Sequence, residues 1–405
     1  MIMLFKWGVE MGADYQGIMM IEKLEGFLNR GAITLADYQY LINKIIHEDE
    51  EKKRIEKDNA ALNATLIEGD IKNAIKLYNE QRYDEALKIF KNYEHKQEVQ
   101  YYLGLMNEGG KGVVQDYFQA LSWYDKAGKN GSFKALNRMG YMFEEGIGIS
   151  QDLKGAFGYY KKSADLGYDV ARVKLGHMYE FGLGTLKDID QAICCYELAS
   201  GDQNKDAQYR LGKMYHFGEG VQKDYKKAIK FYNLAQGNGH YLALNNLGEM
   251  ALNGLGMERD LKNAKECFEK ASCEGVTPAY YNLGYMYHYG IGVEQDFREA
   301  FNQYIMAEVK DHGAAQNSLG FMYRYGQGVT IDYKKASYYF EKAITNGNIN
   351  ALYNLGEMYH NGVGFDVNMI SAIDYYQRAA DKGDKQAIEI LQTKEIRKFK
   401  NKYHY

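Results

Sequence analysis

Residues 279–300 read AYYNLGYMYHYGIGVEQDFREA, and this stretch decides the fold because it returns, in altered form, every 36 residues. Its anchor is Gly284. The equivalent glycine, preceded by Leu or once by Met, stands at 104, 140, 176, 212, 248, 320 and 356, so the register never slips. An Ala lies five residues before each anchor (Val99 in the first copy), a Met lies two after it, and a Gly-x-Gly comes next. Asp116, Asp152, Asp188, Asp224, Asp260, Asp296 and Asp332 then share one position, with Asn368 in the last copy, and an Ala follows four residues on. Self-similarity at a fixed period of this length marks a repeat architecture.

Each unit reads as helix, glycine turn, helix. At about 100° per residue, the Ala, the Leu, the Met and the aromatic after the Met fall on one arc, which is the packing face. A glycine in mid-helix costs about 1 kcal/mol relative to Ala. Its recurrence predicts a close approach that a Cβ would block. The Gly-x-Gly supplies left-handed backbone to end the first helix, and the Asp is placed to cap the second. One such hairpin cannot bury its own apolar faces, so neighbours must stack. Composition agrees: 1 Pro against 43 Gly suits a helical chain whose glycines sit at fixed turns.

The pattern Ala-x-x-x-Leu-Gly-x-Met-Tyr-x-x-Gly-x-Gly-Val-x-x-Asp-x-x-x-Ala-x-x-Tyr-Tyr, eight times over residues 97–384, resembles the Sel-one-like repeat, a relative of the tetratricopeptide repeat. The resemblance implies an all-α, right-handed α-solenoid (superhelix) of helix-turn-helix repeats that grips a protein or peptide in its concave groove. Residues 70–96, with Ala74, Tyr78, Tyr83, Asp84, Glu85, Ala86 and Phe90, resemble a divergent tetratricopeptide pair lacking the Gly-x-Gly. After Gly383, Ala387 and Leu391 restart the first-helix pattern with no second helix after it. Residues 385–405 are therefore expected to form a cap helix with a basic tail (Lys394, Arg397, Lys398, Lys400, Lys402).

The N-terminal part differs. Beyond a segment 1–20, residues 21–47 predict a short hairpin: Leu24 and Leu28 precede Gly31, and Thr34 with Asp37 forms a capping box. This hairpin is similar to the SHOCT-type short helical motif of bacterial proteins, which implies self-association through residues 21–47. Two helices of that size bury too little surface to stand alone. Residues 48–69 are expected to be a charged helical linker.

Several function classes are disfavoured. The formal charge of −4, from 50 basic and 54 acidic residues, offers no field of one sign to steer nucleic acid. Cys194, Cys195, Cys267 and Cys273 form no CxxC pair, so reduced thiols are expected rather than a zinc site or a disulfide framework. The start Met1-Ile2-Met3-Leu4-Phe5-Lys6-Trp7 lacks a basic leader and its apolar run stops at Lys6, so neither export nor membrane insertion is expected and the cytoplasm is favoured. No glycine turn reaches a third Gly at dinucleotide spacing, and no Gly-Lys-Ser/Thr is present. His216, His288 and His360 share one repeat position but lie 72 residues apart. With packed helices about 8–10 Å apart, two repeats separate them by roughly 20 Å, far beyond the ~2 Å of a zinc ligand. They are expected at the surface or in a groove, and no metal or cofactor is expected.

The candidate binding residues lie on the first helix, opposite the packing arc: Tyr141, His177, Phe181, Phe217, Tyr281, Tyr285, Tyr289, Phe321 and Tyr325, with Tyr209 and Tyr353 beside them. Contiguous exposed aromatics mark interaction sites. The position four after the anchor also changes sign, from Glu108, Glu144 and Glu180 to His216, Leu252, His288, Arg324 and His360, a gradient expected to orient a ligand. The leading reading is a non-enzymatic adaptor. A β-lactam or cell-wall hydrolase, implied by secreted relatives with paired cysteines, is disfavoured because the pairing is missing and no Ser-x-x-Lys occurs. A spacer or oligomer organiser acting through the hairpin is the third reading.

Overall fold

The computed structural model describes residues 15–201 and 203–403; residues 1–14 of the N-terminal segment lie outside the described residues. Among the described residues all regular structure is helical, and the chain divides after Asp152 into two compact units.

The first unit holds α1 (Tyr15–Asn29), α2 (Leu35–Asn79), α3 (Tyr83–Phe90), a 3-10 turn (Lys91–Tyr93), α4 (Gln97–Gly109), α5 (Tyr117–Lys129) and α6 (Phe133–Glu145). Gly31 closes α1 with φ +68°. Thr34 and Asp37 form the capping box that opens α2, the Thr34 N–H donating to Asp37 Oδ2 at 3.1 Å and the Asp37 N–H to Thr34 Oγ1 at 3.2 Å. Ile21, Tyr38 and Ile42 bury one another between α1 and the start of α2. The helix does not stop at the charged stretch. It runs 45 residues without a break, and its far end supplies Ala74, Leu77 and Tyr78 to a core shared with Ala86, Phe90, Leu103 and Met106.

The second unit continues with α7 (Leu153–Asp165), α8 (Asp169–Phe181), α9 (Ile189–Gly201), α10 (Lys205–Phe217), α11 (Tyr225–Gly237), α12 (Tyr241–Asn253), α13 (Leu261–Cys273), α14 (Thr277–Tyr289) and α15 (Phe297–Glu308). It ends with α16 (Gly313–Tyr325), α17 (Tyr333–Thr345), α18 (Ile349–Asn361), α19 (Met369–Asp381), α20 (Lys385–Leu391) and α21 (Lys394–Tyr403). From α8 to α19 these pair as helix-turn-helix repeats, each helix packed on the next, which is an α-solenoid.

One repeat shows how the sequence produces the stack. In α10 the anchor Gly212 faces the fully buried ring of Tyr232 on α11, and a Cβ on Gly212 would stand 2.5 Å from that ring. Tyr232, the aromatic two helical turns into α11, therefore occupies the space that the missing Cβ leaves. Ala207, Leu211, Met214, Ala228 and Ala235 are buried completely around it. Gly218 then ends α10 in the left-handed region (φ +75°), its N–H donating to the Met214 carbonyl. Gly220, at φ +73°, has a second duty: a Cβ there would meet Ile189 Cγ2, at the start of the preceding repeat's second helix, at 2.5 Å. Asp224 caps α11, accepting from the Lys227 N–H at 3.0 Å. Asp260, Asp296, Asp332 and Asn368 do the same in later repeats.

At the C-terminus the basic stretch is itself helical. Ile396 of α21 is fully buried in a cluster with Leu352, Tyr376 and Ala387, so α21 closes the last repeat's apolar surface.

Candidate functional site

The first helices α8, α10, α14 and α16 carry the candidate aromatics of the second unit. On α8, α14 and α16 the residue one past the anchor glycine and the residue five past it lie one helical turn apart, so their rings meet, whereas α10 has Lys213 at the first of these positions. His177 and Phe181 stand 4.7 Å apart by ring centroid, Tyr285 and Tyr289 4.7 Å, and Phe321 and Tyr325 4.4 Å. These contacts do not bury the outer rings. Phe181 and Phe217 are each 51% exposed, Tyr289 56%, Tyr325 48% and Tyr285 37%. His177 is exposed, while Tyr281, Phe321, Tyr209 and Tyr353 are half-buried. Tyr141 belongs to the first unit, half-buried, with the Arg138 guanidinium carbon 4.8 Å from its ring centre.

The aromatics form two groups rather than one row. In the larger, Tyr281 lies 6.5 Å from Tyr285, Tyr289 stacks on His288 at 4.6 Å, and His288 reaches Phe321 of the next repeat at 6.5 Å. The aromatic contacts thus run from α14 to α16 through the buried His288 ring, with the Arg324 guanidinium carbon 5.0 Å from the Tyr325 ring at the far edge. Burial holds the phenols of Tyr281 and Tyr289 above their usual range and the His288 imidazole below its own, so the patch is uncharged up to Arg324. The smaller group joins His177 and Phe181 on α8, with Arg210 5.3 Å from the Phe181 ring, and Phe217 stacked on His216 at 4.2 Å on α10. A cleft of about 430 Å³ opens beside it, lined by Phe181, Lys187, Arg210, Lys213 and Glu219 among others. Between the two groups α12 is polar at the same positions. Asn245 and Glu249 face Asn282, whose Nδ2 donates to both at 3.0 Å.

The position four past the anchor is not part of a groove, which corrects the expected charge gradient. Glu108, Glu180, His216, His288 and Arg324 are all buried. Glu180 accepts from the Tyr196 hydroxyl at 2.9 Å and from Arg210 Nε of the next repeat at 2.9 Å. Glu108 is bound in the same way by Tyr124 at 2.7 Å and by Arg138. His216 Nδ1 and His360 Nδ1 each approach the equivalent tyrosine hydroxyl at 3.3 Å. Arg324 instead pairs with Glu357 of the following repeat at 2.5 Å. Glu108, Glu180, His216 and His360 approach the buried tyrosine hydroxyl of their second helix, whereas Arg324, whose second-helix ring is Phe340, reaches the next repeat instead, so this position serves the seams between helices. The expectation that His216 and His288 are surface residues falls with it. They are core residues, their pKa values lowered first by burial.

A third set of contacts escaped the sequence reading. Asn130, Asn238 and Asn346 each donate to a glutamine 30 residues earlier, Gln100, Gln208 and Gln316, at 2.9–3.0 Å. The signal was a matched Gln and Asn at a constant spacing, the spacing that also separates Glu108 from Arg138 and Glu180 from Arg210. Among the described residues no group of three or more His, Cys, Asp or Glu side chains is arranged to hold a metal ion. Among them, too, no helix is long and apolar enough to cross a membrane.

Comparison with known proteins agrees with this geometry. The Sel1 repeat pattern matches residues 97–132, 133–168, 170–201, 205–240, 242–276, 277–307, 313–348 and 349–384. Among solved structures, the chain is similar to a protective antigen present in uropathogenic Escherichia coli strains displaying an SLR fold. That match has a TM-score of 0.72 and 26% identity over 84% of this chain and 76% of the other. It is also similar in fold to a Sel1 repeat protein from Oxalobacter formigenes, with a TM-score of 0.58 and 24% identity over 76% of this chain and 89% of that one. No curated protein matches the chain.

Proposed function

The chain belongs to the Sel1 repeat family, and from that premise we propose that it is a non-enzymatic adaptor that binds a protein or peptide on the first-helix face of its repeats. The observation that carries this reading is the pair of exposed aromatic clusters on successive first helices, Tyr281–Tyr285–Tyr289 and Phe321–Tyr325, joined beneath the surface by the buried His288 ring and leaving Tyr285, Tyr289 and Tyr325 open to solvent. Aromatic side chains supply large contact area at low entropic cost and dominate the energetics of interfaces. The phenol hydroxyls add donors and acceptors for a partner's backbone. A partner segment with apolar or aromatic side chains fits this chemistry, and the cytoplasm is the compartment that suits reduced thiols.

The test is affinity capture from native extract with wild type and with Tyr285→Ala/Tyr289→Ala, followed by titration of the captured partner. A loss of affinity of tenfold or more with unchanged thermal unfolding supports the adaptor reading. Equal affinity for both proteins moves binding off this face and removes the reading.

A further inference from the structure

We infer that the aromatic face on α14 and α16 takes up the side-chain carboxamide of an asparagine or glutamine in the partner segment, held by His288, Tyr304 and Gln327 beneath it; this rests on the adaptor reading. One repeat carries hydrogen-bonding groups that its fold leaves unmet. In its neighbours the ring twenty residues past the anchor glycine is matched by the residue four past it. Tyr124, Tyr196, Tyr232 and Tyr376 have their hydroxyls met by Glu108, Glu180, His216 and His360. Where the ring is Phe268, with no hydroxyl, the residue four past the anchor is Leu252, which needs no partner.

Tyr304 and His288 hold these two positions in the repeat beneath the aromatic face, and they do not bond to each other. Their ring centres are 6.0 Å apart. Tyr304 is completely buried and His288 is 3% exposed. The Tyr304 hydroxyl, Nδ1 of His288 and Oε1 of Gln327, in the turn after α16, are all buried without a hydrogen-bond partner among the described residues. Ser318 lies near that hydroxyl and Gln327 near that imidazole, yet neither completes a hydrogen bond. Leaving such groups unmet costs stability, so a ligand that meets them gains affinity.

Two features fix the chemistry of the occupant. The floor offers no charge: burial keeps the imidazole neutral by lowering its pKa, and Arg324 of the next repeat is already paired with Glu357 at 2.5 Å. A carboxylate or an ammonium group would be buried there unpaired. The unmet atoms also match a carboxamide in number. Its two N–H groups donate to Gln327 Oε1 and to Nδ1 of the neutral ring, while its oxygen accepts from the Tyr304 hydroxyl. A lone hydroxyl has one proton to donate and leaves an acceptor unmet. The way in lies between exposed rings. Tyr289 stacks on His288 at 4.6 Å and is 56% exposed, and Phe321 meets the same imidazole at 6.5 Å from the next repeat. Exposed side chains change rotamer in picoseconds to nanoseconds, so Tyr289 turning outward admits a side chain between itself and Phe321.

Short random peptides displayed on phage and panned on the full chain test this. Wild type is expected to select peptides that carry an asparagine or glutamine beside apolar residues. One such peptide, made synthetically, is then titrated against variants. Tyr304→Phe installs the ring that Phe268 and Phe340 already place at this position. It is expected to unfold at a higher temperature than wild type, having lost an unmet hydroxyl, and yet to bind about tenfold more weakly. Tyr232→Phe removes a hydroxyl that His216 already meets, and is expected to leave peptide affinity unchanged. Full affinity for Tyr304→Phe, with binding abolished by Tyr285→Ala/Tyr289→Ala, overturns the carboxamide site, assigns the unmet atoms to water and leaves the adaptor reading standing. Binding that survives Tyr285→Ala/Tyr289→Ala removes both. Equal loss in Tyr232→Phe, selected peptides without asparagine or glutamine, or no selection at all likewise overturns the carboxamide site.

Discussion

Glu180 and Arg210 meet across a repeat boundary, Arg210 Nε donating to Glu180 Oε2 at 2.9 Å while the Tyr196 hydroxyl donates to the same oxygen at 2.9 Å. One buried carboxylate therefore ties together the first helix of its repeat, the second helix of that repeat and the first helix of the next. Removing it leaves a guanidinium and a phenol buried without their acceptor. Glu180→Ala is expected to cost about 3–5 kcal/mol, measured as a shift in the urea midpoint. Glu180→Leu with Arg210→Met is expected to recover most of the loss, because an apolar pair removes both desolvation penalties. A double variant no better than the single one would show that the charges themselves hold the seam.

The anchor glycines make a second prediction with an inverted sign. Helix propensity alone favours Gly212→Ala by about 1 kcal/mol. The Tyr232 ring leaves no room for the added methyl, and overpacking a filled core costs about 1–3 kcal/mol. Thermal unfolding of Gly212→Ala should therefore fall below wild type. A rise would mean that the ring moves aside freely.

Two repeats lack the glycine that joins one hairpin to the next. Gly131, Gly167, Gly239, Gly275, Gly347 and Gly383 hold this position at φ between +76° and +91°, whereas Gln203 and Asp311 take φ +64° and +55°. A side chain in that region costs about 1–2 kcal/mol, partly offset by the added freedom of a glycine in the unfolded chain. Asp311→Gly is expected to raise stability by up to about 1 kcal/mol, read from denaturant midpoints. No change would place the compensation in the Asp311 carboxylate, which lies 3.6 Å from Lys342 Nζ.

Four imidazoles, buried at His216 and His288 and half-buried at His240 and His312, make the second unit sensitive to acid. His216, His240, His288 and His312 are each held below their usual 6.5, burial being the leading cause in every case. Between the lowered folded values and 6.5 the unfolded chain binds more protons, so stability rises with pH across that window. It is fully present above the unfolded value and is lost as pH falls through the folded ones. The denaturant midpoint should drop between pH 7.5 and pH 5, and His288→Gln should make the drop shallower. A flat profile in wild type would show that the rings stay solvated.

Much of the fold was legible in residues whose meaning is local or periodic. Gly218 and Gly220 announced a left-handed turn, Asp224 a helix cap and the interval from Gly104 to Gly356 a stack, because backbone conformation and capping depend on a few neighbouring residues. The capping box at Thr34 and Asp37 was readable for the same reason. The candidate face was legible only in part. Phe181, Phe217, Tyr285, Tyr289 and Tyr325 stand exposed on first helices, but helical phase alone placed Glu180, His216 and His288 beside them.

What the sequence by itself determined is the repeat, its helices and their turns, since periodicity, glycine and caps act along the chain. What only the tertiary structure decided is the fate of side chains at the edge of the packing arc. Four residues past the anchor, a side chain lies between groove and seam, and its destination depends on whether the second helix presents a tyrosine or a phenylalanine and on the arginine or glutamate of the next repeat. Those partners sit 16 and about 30 residues away. Burial of a charged group is favourable only where such partners converge, and that convergence is a property of packed helices rather than of any one of them.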